Sequence, residues 1–334
     1  MTWDLTKRGA LAALLLTMGF ASSRIPAMGA EANWLVDFEQ AKALAKKEGK
    51  DVLMDFTGSD WCGFCIELDK KVFSKEIFAE KIPESFILLK VDNPRDKSKQ
   101  SDAEKKMVQE LIRKYSISGF PTILLADAEG RPYASLVGYG GTPAEKYVED
   151  LLAKQKTRIK RDEFLAKAES ASGAERAKLL DQAIADIDIE LAMNVYGDVI
   201  DQIIESDADN EAGLKKKYAS LRADVQFKKD VEELANSVRR GKPREEVLAK
   251  LEAMVKEAET KKISGEARQE ALFMMAAMNF PADKPKAKSL LQQAVKAAPD
   301  GPLTARIQMI LKQAFPPEQE PKGDSEQATK KGGN

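Results

Sequence analysis

Histidine is absent from the 334-residue sequence, and cysteine occurs only twice. The first absence excludes Ser-His and Cys-His catalysis and histidine-ligated metal sites. Two thiols cannot supply a zinc site of four thiolates within one chain. The sequence has no nicotinamide or flavin motif, so we expect neither a metal nor an organic cofactor. A formal net charge of -1 gives no electrostatic reason to expect a nucleic-acid partner.

The two cysteines, Cys62 and Cys65, are separated by two residues and follow an apolar run. A thiolate is the nucleophile in disulfide exchange, and a second thiol three residues later can resolve the mixed disulfide that forms. The alternative is a structural disulfide, as in many exported proteins. So short a loop constrains little of the unfolded chain, so stabilisation is a poor reason for this spacing. The pattern therefore favours redox chemistry.

The N-terminus has the pattern of a secretory signal peptide over residues 1–30. A basic pair precedes the apolar run Gly9–Phe20, and small residues follow it. Cleavage after Ala30 fits best, with Gly29 or Ala32 as alternatives.

Export implies a periplasmic or secreted protein, with no stable membrane insertion after the signal is cleaved. The alternative is an uncleaved anchor, but a membrane span needs roughly 20 apolar residues. At the other end, residues 316–334 are rich in Pro, Glu, Gln, Lys and Gly. That composition predicts a disordered tail.

The pattern over residues 31–158 predicts an α/β domain. Helical spacing of apolar residues and short apolar runs alternate along it. The predicted elements are helix 36–48, strand 51–57, a helix from 62 to about 80 with a break near Phe73-Ser74, strand 86–91, helix 101–115, strands 120–125 and 132–137, and helix 143–156. Alternation indicates a parallel core, and the closing hairpin adds antiparallel pairing. We therefore expect a mixed sheet flanked by helices.

Strand signals stop after about residue 160, and residues 159–315 read as an all-helical domain. The predicted helices cover about 163–170, 174–186, 189–206, 210–238, 243–259, 264–279, 284–297 and 302–314. Two segments share the form helix, acidic turn, helix, as in a degenerate tetratricopeptide-like array. No 34-residue period is sustained, so the sequence favours a plain helical bundle over such an array.

The local sequence also predicts how the two thiols differ. If Cys62 starts a helix, unpaired backbone N–H groups and the helix dipole lower its pKa from the usual value near 8.5. Cys65 lies one turn further in, so we expect it to be more buried and to act as the resolving thiol. Gly63 permits a tight turn, and Phe64 adds apolar surface without a polar partner for a thiolate.

Residues 34–156 resemble the thioredoxin superfamily. The landmarks, in the expected order, are Asp55, Trp61-Cys62-Gly63-Phe64-Cys65, Lys90, Phe120-Pro121-Thr122 and Gly138. The resemblance is closest to the exported thioredoxin-like group that includes the C-terminal domain of the transmembrane thiol-disulfide interchange reductase. Its further landmarks are Gly49-Lys50, Asp69-Lys70-Lys71-Val72-Phe73-Ser74 and Asp127-Ala128-Glu129-Gly130.

The resemblance implies roles for four residues. Cys62 would be the nucleophile and Cys65 the resolving cysteine. Pro121 would be a cis-proline facing the dithiol, with the backbone before it pairing with an extended substrate. Asp55 would be the buried acid that takes a proton from Cys65. A buried, unpaired carboxylate is otherwise costly in an apolar strand.

The resemblance also marks Asp69, Lys90 and Trp61, for each of which a structural reading stays open. Asp69 lies four residues after Cys65, on the same helix face, where a carboxylate would raise the thiol pKa values. It could equally be a solvated surface charge. Lys90 could be only an ionic partner of Asp55, and Trp61 could mainly pack the motif.

Two departures from the thioredoxin pattern qualify the expected activity. One extra residue lies between Asp55 and Trp61, and isoleucine stands at Ile66 where lysine is common. Oxidising members often carry histidine between the cysteines, whereas Phe64 cannot stabilise a thiolate. The sequence therefore predicts an exported thiol-disulfide oxidoreductase that reduces or isomerises protein disulfides and is not a strong oxidant.

The expected partners are disulfide-containing protein substrates and a membrane thiol-disulfide reductase as electron donor. We expect the helical domain to select or position substrates. The alternative is that the helical domain is a protein-binding scaffold and the thioredoxin-like domain a redox-inert adaptor.

Overall fold

The computed structural model describes residues 32–316. The signal peptide predicted over residues 1–30 lies outside this range, as does the predicted tail beyond residue 316. No helix within residues 32–316 has both the length and the apolar composition of a membrane span.

The predicted mixed sheet is confirmed and has five strands. They are β1 Trp34–Leu35, β2 Asp51–Thr57, β3 Phe86–Asp92, β4 Thr122–Ala126 and β5 Pro132–Val137, in the spatial order β1-β3-β2-β4-β5. The first three are parallel, and β4 and β5 are antiparallel to their neighbours. Strand β1 was not predicted, because two residues are too few to show a strand pattern.

Helices cover both faces of this sheet. They are α1 Phe38–Glu48, α2 Gly63–Leu68, α3 Glu76–Ser85, α4 Asp102–Lys114 and α5 Ala144–Ala153. The helix predicted from residue 62 to about 80 has its predicted break near Phe73-Ser74, where the π-helical turn Asp69–Phe73 ends, and α3 then runs past Pro83. Every residue of β2 is buried, and side chains such as Val52 and Leu53 point into apolar layers on opposite faces. This central strand ends at the cysteine motif.

The rest of the described chain is helical, as predicted. Its helices are α6 Gln155–Glu169, α7 Gly173–Ile184, α8 Ile189–Val195, α9 Gly197–Ser206, α10 Leu214–Asn236, α11 Arg244–Thr260, α12 Gly265–Asn279, α13 Lys284–Ala297 and α14 Thr304–Ala314. The single helix predicted over 189–206 is two, α8 and α9, which meet at Tyr196. That tyrosine is fully buried, and its hydroxyl donates a hydrogen bond to the Pro132 carbonyl oxygen.

Helix α6 runs continuously across the predicted domain boundary at residues 158/159. Arg158 pairs with the carboxylate of Asp51, and the buried Arg161 donates to the buried Asp127 at 2.9 Å. Leu191 of α8 lies in the same apolar cluster as residues of β2. The helical region and the sheet therefore share a core and buried ion pairs.

These contacts lie at the end of the sheet away from the cysteines. Asp51 begins β2, and Asp127 directly follows β4, which runs antiparallel beside it. The cysteine motif follows Thr57 at the other end of β2. At about 3.3 Å per residue, the two ends of this strand are roughly 20 Å apart.

Candidate functional site

The cysteine motif lies where β2 passes into α2, at the carboxyl end of the central strand. Cys62 is the N-cap of α2 and has extended backbone dihedral angles, φ -89° and ψ 101°. It is joined to Cys65 by a disulfide. The turn before it is closed by hydrogen bonds from the backbone N–H groups of Trp61 and Cys62 to the Gly58 carbonyl oxygen.

The helix terminus is aimed at the Cys62 sulfur. The backbone N–H of Cys65 donates to Cys62 Sγ, with a nitrogen–sulfur distance of 3.2 Å. Cys62 is 6% exposed and Cys65 is 3% exposed. In the reduced protein, an N–H group and the positive end of the helix dipole at this position favour the thiolate of Cys62. The outer sulfur is therefore the one suited to nucleophilic attack.

Asp55 is buried in β2, two residues before the strand ends. It pairs in register with Lys90 on β3 and with Ile123 on β4. Its Oδ1 atom has no hydrogen-bond partner among the described residues. Burial raises the pKa of Asp55 to about 7, while the Lys90 charge opposes that shift. A carboxyl group with this pKa can hold or release a proton near neutral pH.

Lys90 forms its ion pair with Asp69 and not with Asp55. Its Nζ atom is 3.8 Å from Asp69 Oδ1 and also lies over the ring of Trp34. The Asp69 side chain is half exposed, at the first residue of the π-helical turn. The Asp69 charge raises the pKa of Asp55, so both charges act on the buried acid.

Pro121 follows a cis peptide bond at the start of β4. Because β4 is antiparallel to β2 and Thr122 faces Phe56, this peptide lies at the sheet edge that carries the cysteines. The Pro121 carbonyl oxygen accepts a hydrogen bond of 2.8 Å from the N–H of Gly138. The segments before β4 and after β5 are thereby held together beside the motif.

Trp61 is packed on three sides. Its ring meets the ring of Phe120 edge to face at 5.5 Å, and the Arg95 guanidinium lies 5.7 Å from it. Its indole N–H donates to the Asn93 carbonyl oxygen at 2.8 Å. A side chain at Gly58 would overlap the indole ring. Trp61 thus joins the cysteine loop to the segment that carries the cis-proline.

Exposed apolar side chains lie close to the disulfide in sequence or register. Phe64 and Ile66 are 61% and 48% exposed on α2, and Val137 is 71% exposed opposite Thr122. The exposure of these three side chains was not predicted, and Val137 was not among the predicted site residues. The available signal was its position directly after Leu136, which packs against an apolar layer of the sheet, because successive strand residues face opposite sides.

The residues that hold the loop before the cysteines were not predicted either. Ser59 donates hydrogen bonds to Asp92, the last residue of β3, and Asp60 accepts them from Arg95 and Asp96 just beyond it. The only signal was the turn-forming Asp92-Asn93-Pro94, which predicts where β3 ends but not what it contacts. Across residues 32–316, no group of three or more carboxylate or thiol side chains is arranged to hold a metal ion.

Residues 38–155 match the family model of the thioredoxin-like domain, which ends where α6 begins. The chain is 29% identical over 133 residues to the disulfide bond reductase DsbH of Chlamydia pneumoniae, a match that covers 40% of this chain and 78% of DsbH. It is also 29% identical over 141 residues to the thiol:disulfide interchange protein DsbD of Vibrio vulnificus (strain YJ016). That match covers 41% of this chain and 22% of DsbD.

A solved structure of a DsbH oxidoreductase is 27% identical, with a TM-score of 0.37. The alignment covers 39% of this chain and 89% of that one. The domain match agrees with the mixed sheet, the order of its elements and the Cys-x-x-Cys pair at the start of α2. This chain therefore carries, over residues 38–155, a domain of the thioredoxin superfamily.

Proposed function

We propose that the chain is an exported thiol-disulfide oxidoreductase that reduces or isomerises protein disulfides through Cys62 and Cys65. One observation carries the proposal: the redox pair caps a helix at the sheet edge that also carries cis-Pro121. The buried Asp55, with its pKa near 7, lies two residues before the end of the strand that leads to the pair.

In the reducing direction, the Cys62 thiolate attacks one sulfur of a substrate disulfide and expels the other as a thiolate, which takes up a proton. Cys65 then loses its proton to the Asp55 carboxylate and attacks the Cys62 sulfur. The Cys62–Cys65 disulfide forms and the second substrate sulfur leaves. Two electrons pass from the dithiol to the substrate disulfide, so a further dithiol must restore the pair. A membrane thiol-disulfide reductase is the proposed donor.

The surface around the pair supports a protein substrate. Phe64, Ile66 and Val137 offer exposed apolar contacts beside a nearly buried disulfide. A peptide segment flanking the substrate cysteine can cover these side chains, and burial of apolar area stabilises the complex.

Similarity supports the reducing direction, since DsbH is named a disulfide bond reductase. The absence of histidine between the cysteines also supports it, because Phe64 has no polar group with which to stabilise the thiolate further. A measured reduction potential decides this point. A value near that of strong oxidants, about -120 mV, would overturn the reducing assignment.

Substitution of the cysteines tests the proposal. We expect Cys62→Ser to abolish the reduction of insulin disulfides, because it removes the nucleophile. We expect Cys65→Ala to accumulate mixed disulfides that non-reducing electrophoresis reveals, because the resolving thiol is gone. Identification of the trapped proteins would name the substrates.

The scaffold hypothesis remains the second candidate, since α6 to α14 make up more of the chain than disulfide exchange requires. If Cys62→Ser reduced insulin as well as wild type, the redox role would be wrong and the scaffold would be favoured.

A further inference from the structure

Two loops at the cysteine end of the sheet are joined by hydrogen bonds to two carboxylates, one in each loop. One is residues 58–61, which joins β2 to the disulfide, and the other is residues 92–96, at the end of β3. Asp92 accepts hydrogen bonds from the Ser59 N–H at 3.0 Å and from the Ser59 hydroxyl at 2.6 Å. In this first contact the donors lie in residues 58–61 and the acceptor lies in residues 92–96.

In the second contact the acceptor lies in residues 58–61 and the donors lie in residues 92–96. Asp60 accepts hydrogen bonds from the backbone N–H groups of Arg95 and Asp96, each at 2.9 Å. These bonds hold the pKa of Asp60 below its usual range. We call the Asp92–Ser59 and Asp60–Arg95/Asp96 contacts together the carboxylate clasp.

Trp61, the residue directly before Cys62, also contacts residues 92–96. The indole N–H of Trp61 donates to the Asn93 carbonyl oxygen, and the Arg95 guanidinium lies over the indole ring. The backbone of Trp61 leads directly into the N-cap conformation of Cys62, in which the Cys62 sulfur accepts the Cys65 N–H. A loop free to move would not keep the sulfur in line with that donor.

We propose that Asp60 and Asp92 are positioning residues, whose clasp fixes Trp61 and holds Cys62 in the helix-capping geometry that its reactivity requires. This inference rests on the proposed function, since it assigns these residues a role at the same dithiol. Neither residue takes part in the bond changes. They act through Trp61 and the backbone of Cys62.

Charge and hydrogen bonding have opposite effects here, which makes the clasp testable. Removing either carboxylate removes a negative charge near the dithiol, which favours the thiolate. Removing the clasp loosens the cap, which disfavours the thiolate. Asparagine removes the charge but keeps one acceptor oxygen, whereas alanine removes both. Both variants lack the charge, so the difference between them at one position reports the hydrogen bond that the remaining oxygen of asparagine can still accept, one of the two that the carboxylate accepts.

The experiment measures the pH midpoint of Cys62 alkylation by iodoacetamide in the reduced full-length chain, together with insulin reduction and the urea unfolding midpoint. We expect Asp60→Ala to have an alkylation midpoint at least about half a pH unit above that of Asp60→Asn, which is roughly a threefold smaller thiolate fraction at neutral pH. The same order should hold for Asp92→Ala and Asp92→Asn. Insulin reduction should be slower in each alanine variant than in its asparagine partner.

Asp96→Ala is the matched control. The variant keeps the Asp96 backbone N–H, which donates to Asp60, and removes only the carboxylate, which accepts a hydrogen bond from the Ser98 N–H at 2.9 Å and is not one of the groups that bind residues 58–61. We expect it to leave the alkylation midpoint unchanged.

Equal alkylation midpoints and equal rates for the alanine and asparagine variants at both positions would refute the clasp, even if all four unfold earlier. If Asp92→Ala does not fold, the comparison of Asp60→Ala with Asp60→Asn still tests the clasp, because Asp60 is exposed. Failure of the proposed function looks different: the wild type itself would then not reduce insulin.

Discussion

Replacing Asp55 by asparagine should stabilise the oxidised protein, and the gain should grow with pH. Burial raises the pKa of Asp55 from 3.8 to about 7, so the folded state binds this proton more tightly than the unfolded chain does. Above pH 7 the folded state must hold a buried carboxylate without a hydrogen bond to Oδ1. Asparagine carries no charge to bury, so it removes this penalty.

The size of the effect follows from the shift. Between pH 3.8 and pH 7 only the folded state keeps the proton, so this residue's contribution to the free energy of unfolding falls as pH rises. One pKa unit corresponds to about 1.4 kcal/mol, so the wild type should lose about 4 kcal/mol over this interval. Below pH 3.8 the acid is neutral in both states and the two proteins should be similar. Above pH 7 the advantage of Asp55→Asn should be constant.

Urea unfolding at a series of pH values from about 4 to 8, followed by tryptophan fluorescence, measures the difference between the two proteins. Taking the difference removes the contributions of the other titrating groups. A difference that is flat with pH, or an asparagine variant that becomes less stable as pH rises, would refute the reasoning about Asp55.

Three further substitutions probe the packing described above. Arg161→Ala should lower the free energy of unfolding by about 3–5 kcal/mol, because it leaves the buried Asp127 without its principal charged partner. Tryptophan fluorescence during urea unfolding measures this loss, and a change below about 1 kcal/mol would contradict the prediction. Gly58→Ala should cost about 1–3 kcal/mol because the new Cβ would approach Trp61 Nε1 to 2.6 Å, and an unchanged urea midpoint would show that the ring can move aside. Gln269→Ala should cost about 2–4 kcal/mol, because its side chain makes buried hydrogen bonds that tie α12 to α13 and α14; circular dichroism during unfolding is the measurement, and an unaltered helical transition would count against it.

The sequence was sufficient for the central parallel strands because they are largely apolar runs bounded by helices. Residues 51–57 and 86–91 show this pattern, and both are buried strands in the structure. The position of Cys62 at the start of a helix was also predictable, because helical spacing begins there. Each of these signals lies within one short segment of the chain, so it is visible in the sequence.

The contacts that join distant segments were not predictable. Helices α8 and α9 are separate where tertiary contacts fix Tyr196, and its hydroxyl partner is 64 residues away. The ion pair of Lys90 with Asp69 depends on how the π-helical turn lies over β3. The hydrogen bonds between Ser59 and Asp92 span 33 residues. Such pairings follow from the packed fold and leave no periodic trace in the sequence.

The uninterrupted helix α6 determines how the dithiol is oriented in space. A flexible linker would let the thioredoxin-like domain search a volume around a tethered partner. Here Arg158 and Arg161 of a continuous helix bind Asp51 and Asp127 at the base of the sheet. Anything that immobilises the helical region therefore also fixes the direction in which Cys62 faces. The orientation of the Cys62–Cys65 disulfide relative to the helical region is therefore set by the fold and not by a linker.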